Sequence, residues 1–263
     1  MADLKKEIKE LSEISCDINQ NNRVDLIELH GKKIKIIKAM LQSLPYKIKL
    51  KCKSQYSFKD KYPHAKSACT TISVFASIKL LQCLLDKTII TCNHINQWIE
   101  EGVIAHESFF TSNTPVDHLD QTTVLKYFKI SNTYKSKVGY LKDDKESFEK
   151  ILSDIYLPLS KKSYFKNIQN DKYTAVIITK PPETIFVIIP PDNSSFIFFD
   201  SHVTEDSTDY TVESFSTFHE LIDRLKRKFP FNKELYDSIP QSKMNYNVEF
   251  DFFIFDAFAF QLP

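Results

Sequence analysis

The chain lacks an excess of charge of either sign. Its 35 lysine and arginine residues nearly balance its 34 aspartate and glutamate residues, so no overall field favours the phosphates of a nucleic acid or an anionic membrane surface. It also lacks a run of about 20 apolar residues, the length that a membrane-spanning helix needs. Residues 1–18 are charged throughout and carry no apolar signal core. The sequence therefore predicts a cytosolic protein with no nucleic-acid partner and no membrane span.

The cysteines lack the paired spacing of a disulfide or zinc framework. All 5 are scattered, at positions 16, 52, 69, 83 and 92, and none forms a C-x-x-C pair. Cys92 and His94 are two potential metal ligands, but no second pair lies at zinc-site spacing. We therefore expect free thiols in a reducing compartment, and neither a metal nor a cofactor.

Glycine is scarce, with 3 residues, while 42% of the chain is hydrophobic and 13% is aromatic. This composition is typical of a folded core in which strands pack against helices, and it disfavours disorder over most of the length. Neither an internal repeat nor a low-complexity tract is present in the sequence. A chain of 263 residues then forms one domain with an extra element, or two small domains.

Residues 1–44 have a helical pattern that is interrupted by a polar turn at 19–22. We predict an N-terminal helical hairpin that forms an extension of its own, followed by a larger domain at residues 45–263. The pattern leaves open whether the hairpin packs on that domain as an extra layer or serves as a coiled-coil or contact arm.

The larger domain is predicted to be α+β, with an antiparallel sheet flanked by helices. A long buried helix starts near Ala68, because apolar positions recur at three- and four-residue steps with no glycine or proline until Gly102. Three β-branched and aromatic runs, separated by proline-containing turns, predict a meander that is covered on both faces. These runs lie at 173–179, 184–189 and 195–200. Further predicted elements are helices at 95–101, 122–128, 145–156 and 214–228 and a strand at 248–260.

Cys69 falls in the first turn of the predicted buried helix. Backbone N–H groups without intrahelical partners, together with the helix dipole, stabilise a thiolate at this place and also an oxyanion beside it. Cys83 lies further along the same helix and illustrates the alternative, a cysteine that serves as a small buried apolar residue. The position at the helix start makes Cys69 the candidate nucleophile.

Asp200 and His202 end the third strand of the meander. Side chains two residues apart in a strand point to the same side, so the carboxylate can orient the imidazole and stabilise its protonated form. His202 follows Cys69 by about 130 residues, a separation found in papain-type enzymes. Those enzymes usually carry the histidine at the start of one strand and Asn or Asp on the next, but the first strand here opens at Tyr173 without a histidine. His202 is therefore the predicted base, and His64, with no carboxylate nearby in sequence, is the weaker candidate.

Two segments carry a family resemblance. Residues 67–73, SACTTIS, begin the helix with small residues, the cysteine and hydroxyl-bearing residues, and residues 198–202, FFDSH, end the strand. Both are similar to the corresponding motifs of the herpesvirus large tegument protein deubiquitinases and their viral tegument-like relatives. The segment 214–222 also resembles the phenylalanine- and leucine-containing helix of that family. The resemblance covers residues 55–229 and leaves 1–44 outside it.

The resemblance implies a papain-like cysteine peptidase fold and deubiquitinase activity, with ubiquitin or polyubiquitin as the partner. It implies that Cys69, His202 and Asp200 form a triad that hydrolyses the bond after the C-terminal glycine of ubiquitin. It also implies a glutamine upstream of the cysteine in the oxyanion hole, and Gln55, 14 positions before Cys69, matches that place. Residues 203–206 depart from the family pattern, so the resemblance does not extend to the family's substrate preference.

Two other functions are left open by the sequence. The same thiol is compatible with an acyltransferase or ubiquitin-ligase-like effector, which passes the acyl group to an acceptor other than water. A catalytically silent ubiquitin-binding module that uses residues 1–44 for the contact is the other alternative. The presence of Cys69, Asp200 and His202 together favours an enzyme.

Overall fold

The computed structural model describes residues 6, 9–10, 29–34, 48–110, 118–130, 137–142, 146–156, 168–169, 171–191 and 195–262. The chain divides into two compact units, residues 1–46 and 47–263. In the first unit, residues 6, 9–10 and 29–34 are helical, and Lys33 Nζ forms an ion pair with Glu10. The predicted turn at 19–22 lies outside the described residues, so the hairpin and the separate extension at 1–44 stay predictions.

The described residues of the second unit form one sheet of seven antiparallel strands. The strands are β1 (Lys49–Leu50), β2 (Lys137–Tyr140), β3 (Thr174–Lys180), β4 (Glu183–Ile189), β5 (Phe196–Phe199), β6 (Val212–Phe215) and β7 (Ile254–Phe260). Their order in the sheet is β1-β6-β5-β4-β3-β7-β2. The predicted meander is confirmed, because β3, β4 and β5 are neighbours in this order, and the mixture of helices with an antiparallel sheet confirms the α+β class.

The helices of the described part of the chain surround this sheet. They are α1 (Cys69–Leu85), α2 (Cys92–Glu107), α3 (Gln121–Tyr127), α4 (Phe148–Tyr156), α5 (Phe218–Lys228), α6 (Lys233–Ser238) and α7 (Tyr246–Phe252), with short 3-10 turns at Gln55–Phe58, Ala65–Ser67 and Gln241–Lys243. Within these described ranges, no helix has both the length and the apolar character to cross a membrane. The long buried helix that was predicted near Ala68 is α1.

The predicted helix at 214–228 is wrong in its first residues. Residues 212–215 pair with β5 as the strand β6. The helix begins only after Thr217, whose side chain accepts the N–H of Glu220 while the Glu220 carboxylate accepts the N–H of Thr217. This reciprocal capping box sets the helix start, and the hydrophobic pattern alone did not reveal it.

The predicted strand at 248–260 is also wrong in its first residues. Asn245 caps α7 by accepting the N–H of Val248 through its side-chain oxygen. The strand β7 then begins at Ile254 and inserts between β3 and β2. A capping side chain again decides a boundary between two segments that are both rich in apolar residues.

Helices cover both faces of the sheet. On one face, α4 and α5 share a core with alternate residues of the central strands: Ile151, Leu152, Leu221, Leu225, Val176 and Val187. On the other face, α1 contacts β3 and β4. The Thr70 hydroxyl lies 3.0 Å from that of Thr184, and Ser73 donates to the Thr184 carbonyl. The N-terminal end of α1 is therefore fastened to the first residues of β4.

Gly102 of α2 lies directly against α1. A Cβ atom at position 102 would meet the Cα atom of Ile72 at 2.8 Å and its side chain at 3.0 Å. The two helix backbones therefore approach more closely than a larger residue at this position permits. Because Ile72 lies in the first turn of α1, this contact helps to place Cys69.

Replacing Gly102 with alanine should destabilise the second unit by about 1 to 2 kcal/mol. The new methyl group must push against the backbone of α1. Such overpacking costs about 1 to 3 kcal/mol, and we expect about 2 to 3 kcal/mol of that range because a backbone atom has to move. The gain of roughly 1 kcal/mol from helix propensity only partly offsets this cost. Urea unfolding followed by circular dichroism measures the difference.

Gly31→Ala is the matched control, because Gly31 is also helical and a Cβ there would meet no atom of the described residues within 4 Å. Propensity alone should maintain or increase the helical signal of that variant. A Gly102→Ala protein as stable as the wild type would contradict the close approach of the two helices.

Candidate active site

Cys69 is the first residue of α1 and is almost fully buried, with 1% of its surface exposed. The preceding residue, Ala68, has no polar side chain that could cap the helix, so the first-turn N–H groups retain their capacity to stabilise negative charge. The Sγ atom lies 3.7 Å from the carbonyl oxygen of Pro182, in the turn between β3 and β4. The thiol is thus at the junction of this turn and the start of α1.

Asp200 and His202 lie in the turn that follows β5. The Oδ1 atom of Asp200 accepts from the backbone N–H of His202 at 2.9 Å and lies 2.7 Å from its Nδ1 atom. The pair is held by this Asx-type turn and not by two side chains on one side of a strand, because β5 already ends at Phe199. Since Nδ1 faces Asp200, Nε2 is the ring nitrogen that remains for the interaction with the Cys69 thiol, which raises the pKa of His202.

The second carboxylate oxygen of Asp200 is paired with Lys228, the last residue of α5. Lys228 Nζ lies 2.8 Å from Asp200 Oδ2 and 2.7 Å from Oε2 of Glu183, the first residue of β4. Asp200 itself is only 1% exposed. With one oxygen bound to His202 and the other to Lys228, the buried carboxylate is held in a single orientation.

Gln55 is completely buried at the start of the first 3-10 turn. Its backbone N–H donates to the Ser201 carbonyl at 2.9 Å, and its Oε1 accepts from the Ser201 hydroxyl at 2.9 Å. Its Nε2 donates to the Lys66 carbonyl at 2.9 Å. Gln55 therefore links the turn that carries His202 to the loop that leads into Cys69.

The charges of these groups stabilise one another. Burial by itself raises the pKa of the Cys69 thiol, but hydrogen bonds from His118 and His202 and the charges of both imidazoles lower it to about 6. Burial lowers the pKa of His202, whereas hydrogen bonds to Asp200 and Cys69 raise it to about 10. Burial also acts to raise the pKa of Asp200, but His202 and Lys228 hold it well below its ordinary value. Between about pH 6 and 10, a thiolate therefore lies beside an imidazolium.

His118 is a second imidazole at the thiol, and sequence reasoning missed it. It lies just before α3, is exposed, and forms a hydrogen bond with the Cys69 side chain that lowers the thiol pKa. Asp117 and Asp120 flank it in the sequence, but no strand pattern marks it and nothing in the sequence connects this segment with Cys69. Lys228 and Glu183 were missed for the same reason, because only the fold brings them to Asp200.

Two further histidines lie around the start of α1. His106 of α2 is fully buried, and its two ring nitrogens lie 3.0 Å from Ser67 Oγ and 3.1 Å from Thr71 Oγ1. Burial lowers the pKa of His106 to about 4, so this imidazole is neutral at pH 7. His64 does have a carboxylate partner in space, since its Nδ1 lies 2.6 Å from Glu107 Oε2.

A solved structure shares this architecture. The chain is similar to the ubiquitin-specific protease encoded by tegument protein M48 of murine cytomegalovirus, which was solved in complex with a ubiquitin-based suicide substrate. The match has a TM-score of 0.50 and 15% sequence identity, and covers 83% of this chain and 88% of the protease chain. At this level of identity, the likeness is one of fold.

The structural match confirms, at the level of the fold, the resemblance to viral tegument deubiquitinases that the two sequence motifs carry. No protein-family model and no curated protein matches the sequence. The motifs at 67–73 and 198–202 are therefore short local signals.

The Cys69 thiol should ionise with a midpoint near pH 6, because its hydrogen bonds with His118 and His202 favour the thiolate. The difference in ultraviolet thiolate absorbance between wild type and Cys69→Ala, followed against pH, measures this midpoint. In His202→Ala the midpoint should rise towards or above the ordinary cysteine value of about 8.5, because the burial that raises the pKa is then opposed by one imidazole fewer.

The His64→Ala variant serves as the control, since His64 faces Glu107 and the groups that lower the thiol pKa are His118 and His202. Its titration should match that of the wild type. A wild-type midpoint between pH 8 and 9 would refute the thiolate–imidazolium pair.

Removal of the Lys228 charge by Lys228→Met should destabilise the protein by about 2 to 4 kcal/mol at pH 7, because it takes away one of the two cations that pair with the buried Asp200 carboxylate and leaves only His202. Asp200 has a depressed pKa in the folded state, so the stability that it contributes is present above its unfolded pKa of about 3.9 and is lost as the pH falls below it. The difference between wild type and variant should therefore be smaller at pH 3 than at pH 7. Urea unfolding at both pH values measures it.

Arg227→Met is the matched control for Lys228→Met. Both changes remove a cation from the last turn of α5 and so affect the helix dipole equally, but Arg227 is exposed. Its cost should stay within about 0.5 kcal/mol. Equal costs for the two variants would mean that the contact with Asp200 contributes nothing.

Proposed function

We propose that this chain is a cysteine deubiquitinase with a papain-like catalytic domain, which hydrolyses the bond after the C-terminal glycine of ubiquitin. The observation that carries the proposal is the buried pair of His202 and Asp200, whose Nδ1 and Oδ1 atoms lie 2.7 Å apart. The imidazole of this pair also lowers the pKa of the Cys69 thiol at the start of α1. The fold match adds support, since that neighbour is a ubiquitin-specific protease solved with a ubiquitin-based substrate. The motifs at 67–73 and 198–202 point to the same family.

In the proposed first step, the Cys69 thiolate attacks the carbonyl carbon of the ubiquitin C-terminal glycine. The depressed thiol pKa of about 6 makes the thiolate available at neutral pH without a separate deprotonation. The imidazolium of His202 then gives its Nε2 proton to the departing amine, and the carbon–nitrogen bond breaks. A thioester between ubiquitin and Cys69 remains.

The second step is hydrolysis of this thioester. Neutral His202 takes a proton from a water molecule, and the resulting hydroxide equivalent attacks the same carbonyl carbon. The carbon–sulfur bond breaks, ubiquitin leaves with a free carboxylate, and the thiolate–imidazolium pair is restored. Asp200 stabilises the imidazolium in both steps and keeps Nε2 directed at the sulfur.

Gln55 is proposed to stabilise the oxyanion that forms in each step. Its Nε2 carries two hydrogens, and one of them is directed at the Lys66 carbonyl at 2.9 Å. The second hydrogen, with the backbone N–H of Cys69 at the start of α1, supplies the pair of donors that an oxyanion needs. A donor of this kind is worth about 10²- to 10³-fold in rate. The complete burial of Gln55 favours this role over that of a solvated loop residue.

A ubiquitin probe with an electrophilic C-terminus should label the wild-type protein at Cys69, because the thiolate then captures the electrophile in place of the glycine carbonyl. The adduct is measured as a shift in gel electrophoresis, and peptide mapping identifies the modified residue. Cys69→Ala should give no adduct. Cys83→Ala, which changes a cysteine of the same helix, should be labelled like the wild type.

Two outcomes would count against the proposal. Adduct formation in Cys69→Ala would remove Cys69 as the nucleophile. A wild-type protein that binds ubiquitin but neither takes the probe nor cleaves any of a panel of linkage-defined di-ubiquitins would be a silent binding module.

A further inference from the structure

Cys52 and Cys92 lie side by side, away from the proposed catalytic thiol. Their Sγ atoms are 2.7 Å apart, closer than two sulfur atoms that are merely in contact, and both cysteines are free. Cys52 lies just after β1 and is buried, with 6% of its surface exposed. Cys92 is half-buried at the first residue of α2. The two residues are 40 positions apart in sequence, so the fold alone creates this pair.

The backbone around the pair is held in place from several sides. Thr211 Oγ1 accepts the N–H of Cys52 at 2.9 Å. Asn96 Oδ1 accepts the N–H of Lys53 at 2.8 Å, and the Cys92 thiol donates to the Lys51 carbonyl at 3.3 Å. These contacts fix both cysteines, so their sulfur atoms stay close together.

The geometry points to a reversible disulfide between Cys52 and Cys92 that forms when the protein meets an oxidant of the glutathione disulfide class. A disulfide bond is about 2.05 Å long, so each sulfur has to move by only a few tenths of an ångström. A metal ion is the other species that two thiols can hold. Among the described residues, however, no group of three or more His, Cys, Asp and Glu side chains is placed to bind one.

The reaction is two successive thiol–disulfide exchanges. The Cys92 thiolate, the more exposed sulfur, attacks one sulfur of glutathione disulfide and releases one glutathione as thiolate. The Cys52 thiolate then attacks Cys92 Sγ and expels the second glutathione. The two cysteines lose two protons and two electrons in total, and glutathione disulfide takes up both to give two glutathione molecules. Because burial raises the pKa of Cys52, the second exchange should be faster at alkaline pH.

The disulfide would join the segment that precedes Gln55 to the start of α2. Gln55 lies three residues after Cys52, and its backbone N–H is bonded to Ser201. A movement of a few tenths of an ångström at Cys52 leaves that bond in place. The crosslink therefore acts as a covalent clamp beside the proposed catalytic site. It stabilises the fold by shortening the free loop of the unfolded chain.

The test uses Cys69→Ala as the background, so that the reactive thiol does not take part and the result does not depend on the proposed function. The folded protein is equilibrated with glutathione and glutathione disulfide at pH 8, its remaining thiols are blocked, and its peptides are mapped by mass spectrometry. We expect one linked peptide pair that contains Cys52 and Cys92, two hydrogens lighter than the separate peptides and released by dithiothreitol. The melting temperature should rise by about 5 to 10 °C.

Adding Cys92→Ser to this background should abolish both the linked peptides and the rise in melting temperature. Cys83→Ser, which removes another free, partly buried cysteine, should leave both unchanged.

Three results would overturn the proposal. They are glutathione adducts at Cys92 without a crosslink, linkage of Cys52 and Cys92 that is no more frequent in the folded protein than in urea, and a rise in melting temperature that persists in the Cys92→Ser variant.

Discussion

The buried carboxylate of Asp200 is the charge around which the candidate site is organised. A carboxylate with 1% of its surface exposed is tolerated only when it is paired and hydrogen-bonded. Its partners come from separate places in the chain: the backbone and ring of His202 two residues later, and Lys228 at the end of α5. Lys228 also contacts Glu183 at the start of β4. One buried negative charge thus joins the end of β5, the start of β4 and the end of α5.

The start of α1 also buries polar groups, and burying them is costly unless they are hydrogen-bonded. Each hydroxyl near Cys69 has a partner: Thr70 contacts Thr184 of β4, and Ser67 and Thr71 contact the neutral ring of His106. Hydroxyl groups that are paired in this way cost little to bury. They allow Cys69 to be almost fully buried while the first-turn N–H groups are available to an anion.

Much of the framework could be predicted from local sequence. The β-branched runs of the meander and the start of α1 agreed with the structure because period and turn residues carry their own signal. The predicted starts of α5 and β7 were wrong, because in each case a single capping side chain, that of Thr217 for α5, sets a boundary that the apolar pattern does not show. The insertion of β7 between β3 and β2 depends on pairing of distant segments, for which no local signal exists.

The candidate site likewise contains residues that the sequence predicts and residues that only the fold reveals. Asp200 and His202 are two positions apart in sequence and could be paired from the sequence alone, although a turn and not a strand brings them together. Lys228, Glu183 and His118 lie far from them along the chain, so only the folded arrangement shows that they meet. The roles of Cys69, His202, Asp200 and Gln55 stay predictions from motif and geometry.

Gln55 has a consequence for how this site could change during evolution. Its side chain bridges Ser201, next to His202, and Lys66, three residues before Cys69, while its own backbone is bonded to Ser201. The proposed oxyanion donor therefore also connects the turn that carries His202 with the loop that leads into Cys69. A substitution of Gln55 by another donor would also have to replace its hydrogen bonds to Ser201 and Lys66. Evolution at this position therefore has to preserve the geometry of the site and the oxyanion donor at the same time.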